Sequence, residues 1–236
     1  MIASRTMLRL GAVALAPLAL IACGDGSDDE AVAEPTPTAT VAAPRTLIAA
    51  DYDEAMLGAR IEGPQGTEVE APLMAEGREI GSIVSFVACP RETATCDPAA
   101  MPEGTVYTYV HQVTLAAEEA TDETASAADD GASGESYATL FRTTRRATGF
   151  NGSIGYAREQ AETALGDGEA IGVTSDEGQL IWRVISGEGW SPGATITFWW
   201  QSTLPPEGPS EAWELETGGM TATATAPFPP AEMPVE

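Results

Sequence analysis

The sequence predicts a mainly β domain, an antiparallel sandwich or open barrel with one short helix, and three observations predict it. Residues Thr105 to Leu115 alternate with period two over eleven positions, the pattern of a strand with two different faces. From Ala170 to Thr225, runs of strand length are separated by Asp176-Glu177-Gly178, Gly187-Glu188-Gly189, Pro205-Pro206-Glu207-Gly208-Pro209 and Gly218-Gly219. Short strands punctuated in this way build antiparallel sandwiches and barrels. Helical spacing appears in one place, from about Gly155 to Leu165.

The chain opens with Arg5 and Arg9, then thirteen apolar, glycine or proline residues from Leu10 to Ala22, then Cys23. Such a run is too short for a membrane-spanning helix, which needs about 20 residues. Leu20-Ile21-Ala22-Cys23 resembles the lipobox of bacterial lipoprotein precursors. The resemblance covers residues 1–23 only. It implies that residues 1–22 are a cleaved signal peptide and that Cys23 carries a thioether-linked diacylglycerol and an N-acyl chain, such as palmitate. One acyl chain binds a bilayer marginally, whereas two or three anchor it stably. Gly24, where inner-membrane retention uses Asp, implies the outer membrane. The competing readings are an ordinary secretory signal cut after a small residue and a short buried helix whose final cysteine is accidental.

Residues 23–45 are mostly Gly, Asp, Glu, Ala, Thr and Pro, as in Glu34-Pro35-Thr36-Pro37-Thr38. They cannot bury enough apolar area to offset the entropy of ordering them, so a disordered, semi-extended tether is expected. The Asp25 to Glu30 cluster lacks the ligand spacing of a calcium loop.

A β-rich globular domain is expected over 46–224. Ile80 to Val87 reads as a strand, and Thr105 to Leu115 as the next. One face of the latter carries Tyr107, Tyr109, His111, Val113 and Leu115, the other Val106, Thr108, Val110, Gln112 and Thr114. Residues 116–136 are small and acidic and read as a surface insertion, because strand character resumes at Tyr137 to Arg142. Ser153 can cap the helix and Gly166 end it, while Asn151-Gly152 is a competing hairpin signal. Ala170–Thr174, Gln179–Ser186, Ala194–Ser202, Glu211–Glu216 and Met220–Thr225 complete the strands, and a proline-rich tail is expected over 225–236.

The formal net charge is −25, and removal of Arg5 and Arg9 with the signal takes it to about −27. There is no lysine, so apart from one histidine every basic side chain is arginine. This excess of acid argues against nucleic acid and against direct adhesion to anionic lipid. Once Cys23 is lipidated, Cys89 and Cys96 remain, an even pair that an exported chain joins as a disulfide. Zinc fails on ligand count, since two thiolates and one His give three ligands and structural sites want four.

His111, the single histidine, lies on the apolar face of its strand, where a satisfied core imidazole is the plain expectation. A Ser-His-Asp site lacks a G-x-S-x-G elbow. Carboxylates are too many for a catalytic pair to be singled out. Arg142, Arg145 and Arg146 form the one basic cluster, suited either to an anionic ligand or to pairing with nearby acids. Between Ala194 and Gln201, alternation puts Ile196, Phe198 and Trp200 on one face, with Thr195, Thr197, Trp199 and Gln201 on the other. Trp199, with Trp190 in the preceding loop, could stack a sugar or peptide, or could lie covered by the insertion or a second sheet. The expected function is a lipid-anchored, non-enzymatic binding module with a glycan, peptide or envelope-protein partner and no cofactor or metal. The alternative is a carbohydrate-active enzyme or carbohydrate-binding domain.

Overall fold

The computed structural model describes residues 43–64, 66–117 and 137–231. The lipobox with Cys23, nearly all of the expected tether, the insertion from 118 onward and the last five residues lie outside them. The described residues form thirteen strands, one α-helix and one 3-10 turn. In chain order the strands are β1 (Arg45–Leu47), β2 (Ala50–Asp51), β3 (Leu57–Arg60), β4 (Val69–Ala75), β5 (Arg78–Pro90), β6 (Tyr107–Leu115) and β7 (Ala138–Thr143). They continue with β8 (Phe150–Tyr156), β9 (Ile171–Asp176), β10 (Gln179–Val184), β11 (Thr195–Ser202), β12 (Gly208–Thr217) and β13 (Met220–Phe228). The helix α1 (Arg158–Leu165) joins β8 to β9, and the 3-10 turn spans Glu54–Met56.

All thirteen strands belong to one sheet, ordered β1-β9-β10-β7-β12-β13-β4-β5-β6-β11-β8-β2, with β3 added on β5. Every pairing is antiparallel except β2 with β8. The hairpins use the punctuation read from the sequence. Glu177 and Gly178 both take positive φ between β9 and β10, and Gly218 and Gly219 do so between β12 and β13, as tight two-residue turns require.

The sheet curls until its two halves face each other across one aromatic core. Phe141 on β7 lies 5.0 Å from the ring of Trp213 on β12 and 4.8 Å from that of Phe198 on β11. Trp182 on β10 reaches across to donate its indole N–H to the carbonyl of Gly155 on β8 at 3.0 Å. Tyr107, Tyr109, His111, Val113 and Leu115 all point inward and are buried, as their alternation requires. Each such aromatic removes about 150–250 Å² from water, a contribution of about 4–6 kcal/mol before the entropy of fixing it.

The two edges of the sheet meet on a single short segment. Arg45, Thr46 and Leu47 pair with Ser175, Thr174 and Val173 of β9, and after two intervening residues Ala50 and Asp51 pair with Gly155 and Tyr156 of β8. Gly155 is glycine for a steric reason: a Cβ there would collide with the carbonyl of Ala50. Asp51 then caps the helix from a distance, its Oδ1 accepting the backbone N–H of Arg158 at 2.9 Å.

Three local expectations change. The helix begins at Arg158, later than its spacing suggests, because Gly155 and Tyr156 are held in the β8 ladder against β11. Ser153 therefore lies within β8, although Gly166 does end the helix with φ of 79°. Asn151-Gly152 is likewise inside β8, with Asn151 turning its side chain back to the N–H of Ser153. Finally, β13 runs to Phe228, beyond the expected start of the tail, because Ala226 and Phe228 are core residues.

Candidate functional site

A groove open to a ligand lies on the outer face of the sheet. Strand register aligns Phe86 of β5, Val110 of β6 and Trp199 of β11 in one row, continued by Gly155 of β8 and Ala50 of β2. Phe86, Ala88 and Val110 form a small second cluster, against which Tyr52, Leu57 and Trp199 pack. The cover over this row is the segment from Tyr52 to Leu57. It is held by the Tyr52 N–H bonded to the Tyr156 carbonyl at 3.1 Å and by Asp53, which caps the 3-10 turn through the N–H of Ala55.

Between that segment and β11 is a groove of about 240 Å³, lined chiefly by Asp51, Tyr52, Asp53, Met56, Trp199 and Gln201. It falls below the roughly 300–1,000 Å³ of drug-sized sites, so it suits a small group. Trp199 is half-buried, and its indole nitrogen has no hydrogen-bond partner among the described residues. Beside it Gln201 accepts from the Asn151 amide and donates to the Thr108 hydroxyl. No lysine, arginine or histidine lines the groove. The Tyr52 hydroxyl is pushed up to about 12, first by burial and then by Glu54, with Arg60 opposing and Asp53 adding to the rise.

Next to the groove the same face already holds a cation. The Arg60 guanidinium lies 3.6 Å over the Phe86 ring and is flanked by the carboxylates of Glu54 and Glu68. Arg91 approaches the Met56 sulfur at 4.0 Å, and Arg158 is committed to Glu169 at 2.8 Å and to the carbonyl of Ala49. The carboxylates of Asp51 and Asp53 accept backbone N–H groups but pair with no cation among the described residues.

The other residues singled out from the sequence are dispersed. Trp190 is 1 % exposed and packs 5.7 Å from Phe198 in the core, so it offers no stacking face and does not join Trp199. Arg142 is bound to Glu214 through Nε and Nη2 at 2.7 and 2.6 Å. Arg145 lies over Phe228, at 5.1 Å, and Arg146 packs along Gly178, so the three arginines do not converge. Cys89 and Cys96 form a disulfide with Cα atoms 5.7 Å apart. The loop it closes supports β3, since the Ala59 N–H bonds to the Thr93 carbonyl at 2.9 Å and Leu57 pairs with Pro90. Cys23 lies outside the described residues.

His111 is fully buried, with Nδ1 2.9 Å from the Ser85 hydroxyl and Nε2 accepting the Trp200 indole N–H at 3.4 Å. The acceptor role of Nε2 places the ring proton on Nδ1, which donates to Ser85. Burial lowers its pKa to about 3, so the ring is neutral at physiological pH. Ser85 and His111 are both sealed from solvent and no carboxylate touches the imidazole, so this pair has no access to a substrate. Among the described residues no group of three or more His, Cys, Asp or Glu is gathered to hold a metal.

Sequence reasoning located Trp199 but missed Tyr52, Asp51, Asp53 and Met56. They lie in a stretch with no regular periodicity, and the available signal was Asp53 three residues before Met56, a helix-cap pattern. No protein-family profile, curated protein or solved structure matches this chain.

Proposed function

We propose that this protein is a lipid-anchored, non-enzymatic binding module of the bacterial cell envelope, with the Trp199 groove as its ligand-contacting surface. One observation carries the binding half of this reading: the sole histidine is buried in the core, while a half-buried tryptophan, a tyrosine and a thioether line an accessible groove. Aromatic surface with a few placed polar groups is the usual make-up of a small-molecule site. The anchoring half rests on Leu20 to Cys23 and on the apolar run before it. Outer-membrane sorting follows from Gly24, and the charge balance turns the domain away from nucleic acid.

Two experiments test the halves separately. Labelling cells with a radioactive fatty acid should mark the wild-type chain and leave C23A unlabelled and shed from the membrane. Equal labelling of both would remove the anchor. Titrating the purified protein with glycans, peptidoglycan fragments, peptides and small ions should perturb Trp199 fluorescence, identified by its loss in W199F. A change in Trp fluorescence that survives W199F would move the site elsewhere. Binding without turnover separates the module from the alternative, a carbohydrate-active enzyme, and glycan turnover would establish that alternative.

A further inference from the structure

We infer that the Trp199 groove takes a small organic cation, an alkylated ammonium head on a short apolar body; this rests on the reading of the groove as the ligand surface. The first support is the arrangement beside it. On the same outer face, Phe86 presents its ring to the Arg60 guanidinium at 3.6 Å, and Glu54 and Glu68 flank that cation. The groove repeats this composition with no cation in its lining among the described residues, Arg91 reaching only the Met56 sulfur at 4.0 Å: Trp199 and Tyr52 supply aromatic surface, and Asp51 and Asp53 supply carboxylates. Cations are drawn to aromatic faces by the ring quadrupole, most strongly by tryptophan.

The second support is charge complementarity. The lining contains two carboxylates and no basic side chain, and the arginines around it are engaged with Glu54, Glu68, Glu169 or the Met56 sulfur. An anionic ligand would meet uncompensated carboxylates there. Asp51 and Asp53 each use Oδ1 on backbone N–H groups, and no bond to either Oδ2 occurs among the described residues. The third support is size and polarity. A volume of about 240 Å³ holds one ammonium head with its methyl groups, and the Met56 thioether and the Leu57 side chain give an apolar wall. A sugar would need many free donors and acceptors, yet Gln201 is already bonded to Asn151 and Thr108 and the Trp199 indole nitrogen is buried, so the open polar groups are the carboxylate oxygens.

The test compares choline with its neutral carbon isostere, 3,3-dimethylbutan-1-ol, and with chitobiose, on the full chain in detergent at low salt. The readout is the Trp199 indole N–H resonance, assigned by its absence in W199F. Choline should shift that resonance and bind at least tenfold more tightly than the isostere, and moving to 0.5 M salt should weaken it severalfold. D51N and D53N keep the capping oxygens and remove the charges, so their combination should weaken choline about five- to tenfold while the core indole resonances stay in place. Equal binding of the isostere, or no effect of the double substitution, overturns the cation assignment. Saturable shifts from chitobiose without any from choline overturn it too, but leave the groove as the ligand surface. No shift from any probe overturns both.

Discussion

Replacing His111 by glutamine removes the one imidazole of the chain while keeping an acceptor for the Trp200 indole, and its effect is read in the pH dependence of stability. In the fold His111 stays neutral down to about 3, because burial among Ser85, Trp200, Trp213 and Phe141 penalises its charged form. In the unfolded chain it takes up a proton below its ordinary value of about 6.5. Between pH 6.5 and about 3 the unfolded state therefore binds more protons, and stability falls as pH falls. The contribution is fully present above pH 6.5 and is lost progressively down to about pH 3. At 1.36 kcal/mol per pH unit the whole interval amounts to about 5 kcal/mol, and pH 6 to 4 to about 3 kcal/mol. Urea unfolding of wild type and H111Q at half-unit steps from pH 8 to pH 4 gives the curves. The glutamine variant is less stable at pH 8, by about 1–3 kcal/mol for a disturbed buried hydrogen bond. The gap between the curves should then close on acidification with a slope approaching 1.4 kcal/mol per pH unit. Parallel curves from pH 7 to pH 4 would refute the neutral, sealed imidazole.

Further predictions bear on the groove, the core and the seam. C89S/C96S opens an eight-residue loop and should cost about 2–3 kcal/mol in the chain-entropy model, with red-shifted Trp199 emission as β3 loosens; urea denaturation with fluorescence measures both. G155V places side-chain atoms where Ala50 runs, so hydrogen exchange at Tyr52 should accelerate before that of the core strands, and unchanged protection would contradict the packing. W182A leaves a core cavity and deletes the bond to Gly155, and calorimetry should show a loss of about 3–5 kcal/mol. R142A breaks the half-buried pair with Glu214 and should change stability by less than about 1 kcal/mol, an effect that added salt shrinks.

Alternation made the central strands legible. Along β6 and β11 every second residue faces the core, and those residues are apolar apart from His111 and Ser202. The same rule assigned Trp199 to the outer face, but the side chains that cover it come from Tyr52 to Leu57, almost 150 residues earlier, and no local pattern signals such a contact. β1 and β2 are three and two residues long, too short for a period to register, and β4 contains Pro72, which weakens a strand reading. Trp190 was misleading for a different reason. Flanked by Gly189 and Ser191 it reads as an exposed loop residue, yet the backbone bonds it makes with Ala138 turn its ring toward Phe198. The Arg142 to Arg146 cluster is contiguous in sequence, but Arg142 lies within β7 and pairs with β12, while Arg145 and Arg146 follow the strand and pack against Phe228 and Gly178.

The segment Arg45 to Asp51, which touches both edges of the sheet, is also a long-range closure. Its partners are β9 and β8, which α1 links along the chain but which lie at opposite ends of the strand order, joined through β12 and β13. The first described strands are thus paired with partners more than a hundred residues further along, Arg45 with Ser175 and Ala50 with Gly155. Closing so long a stretch of chain is entropically costly and is repaid only when the final contacts form. Until those contacts form, the outer edges of β8 and β9 stand unpaired, the kind of open edge that invites pairing with another chain.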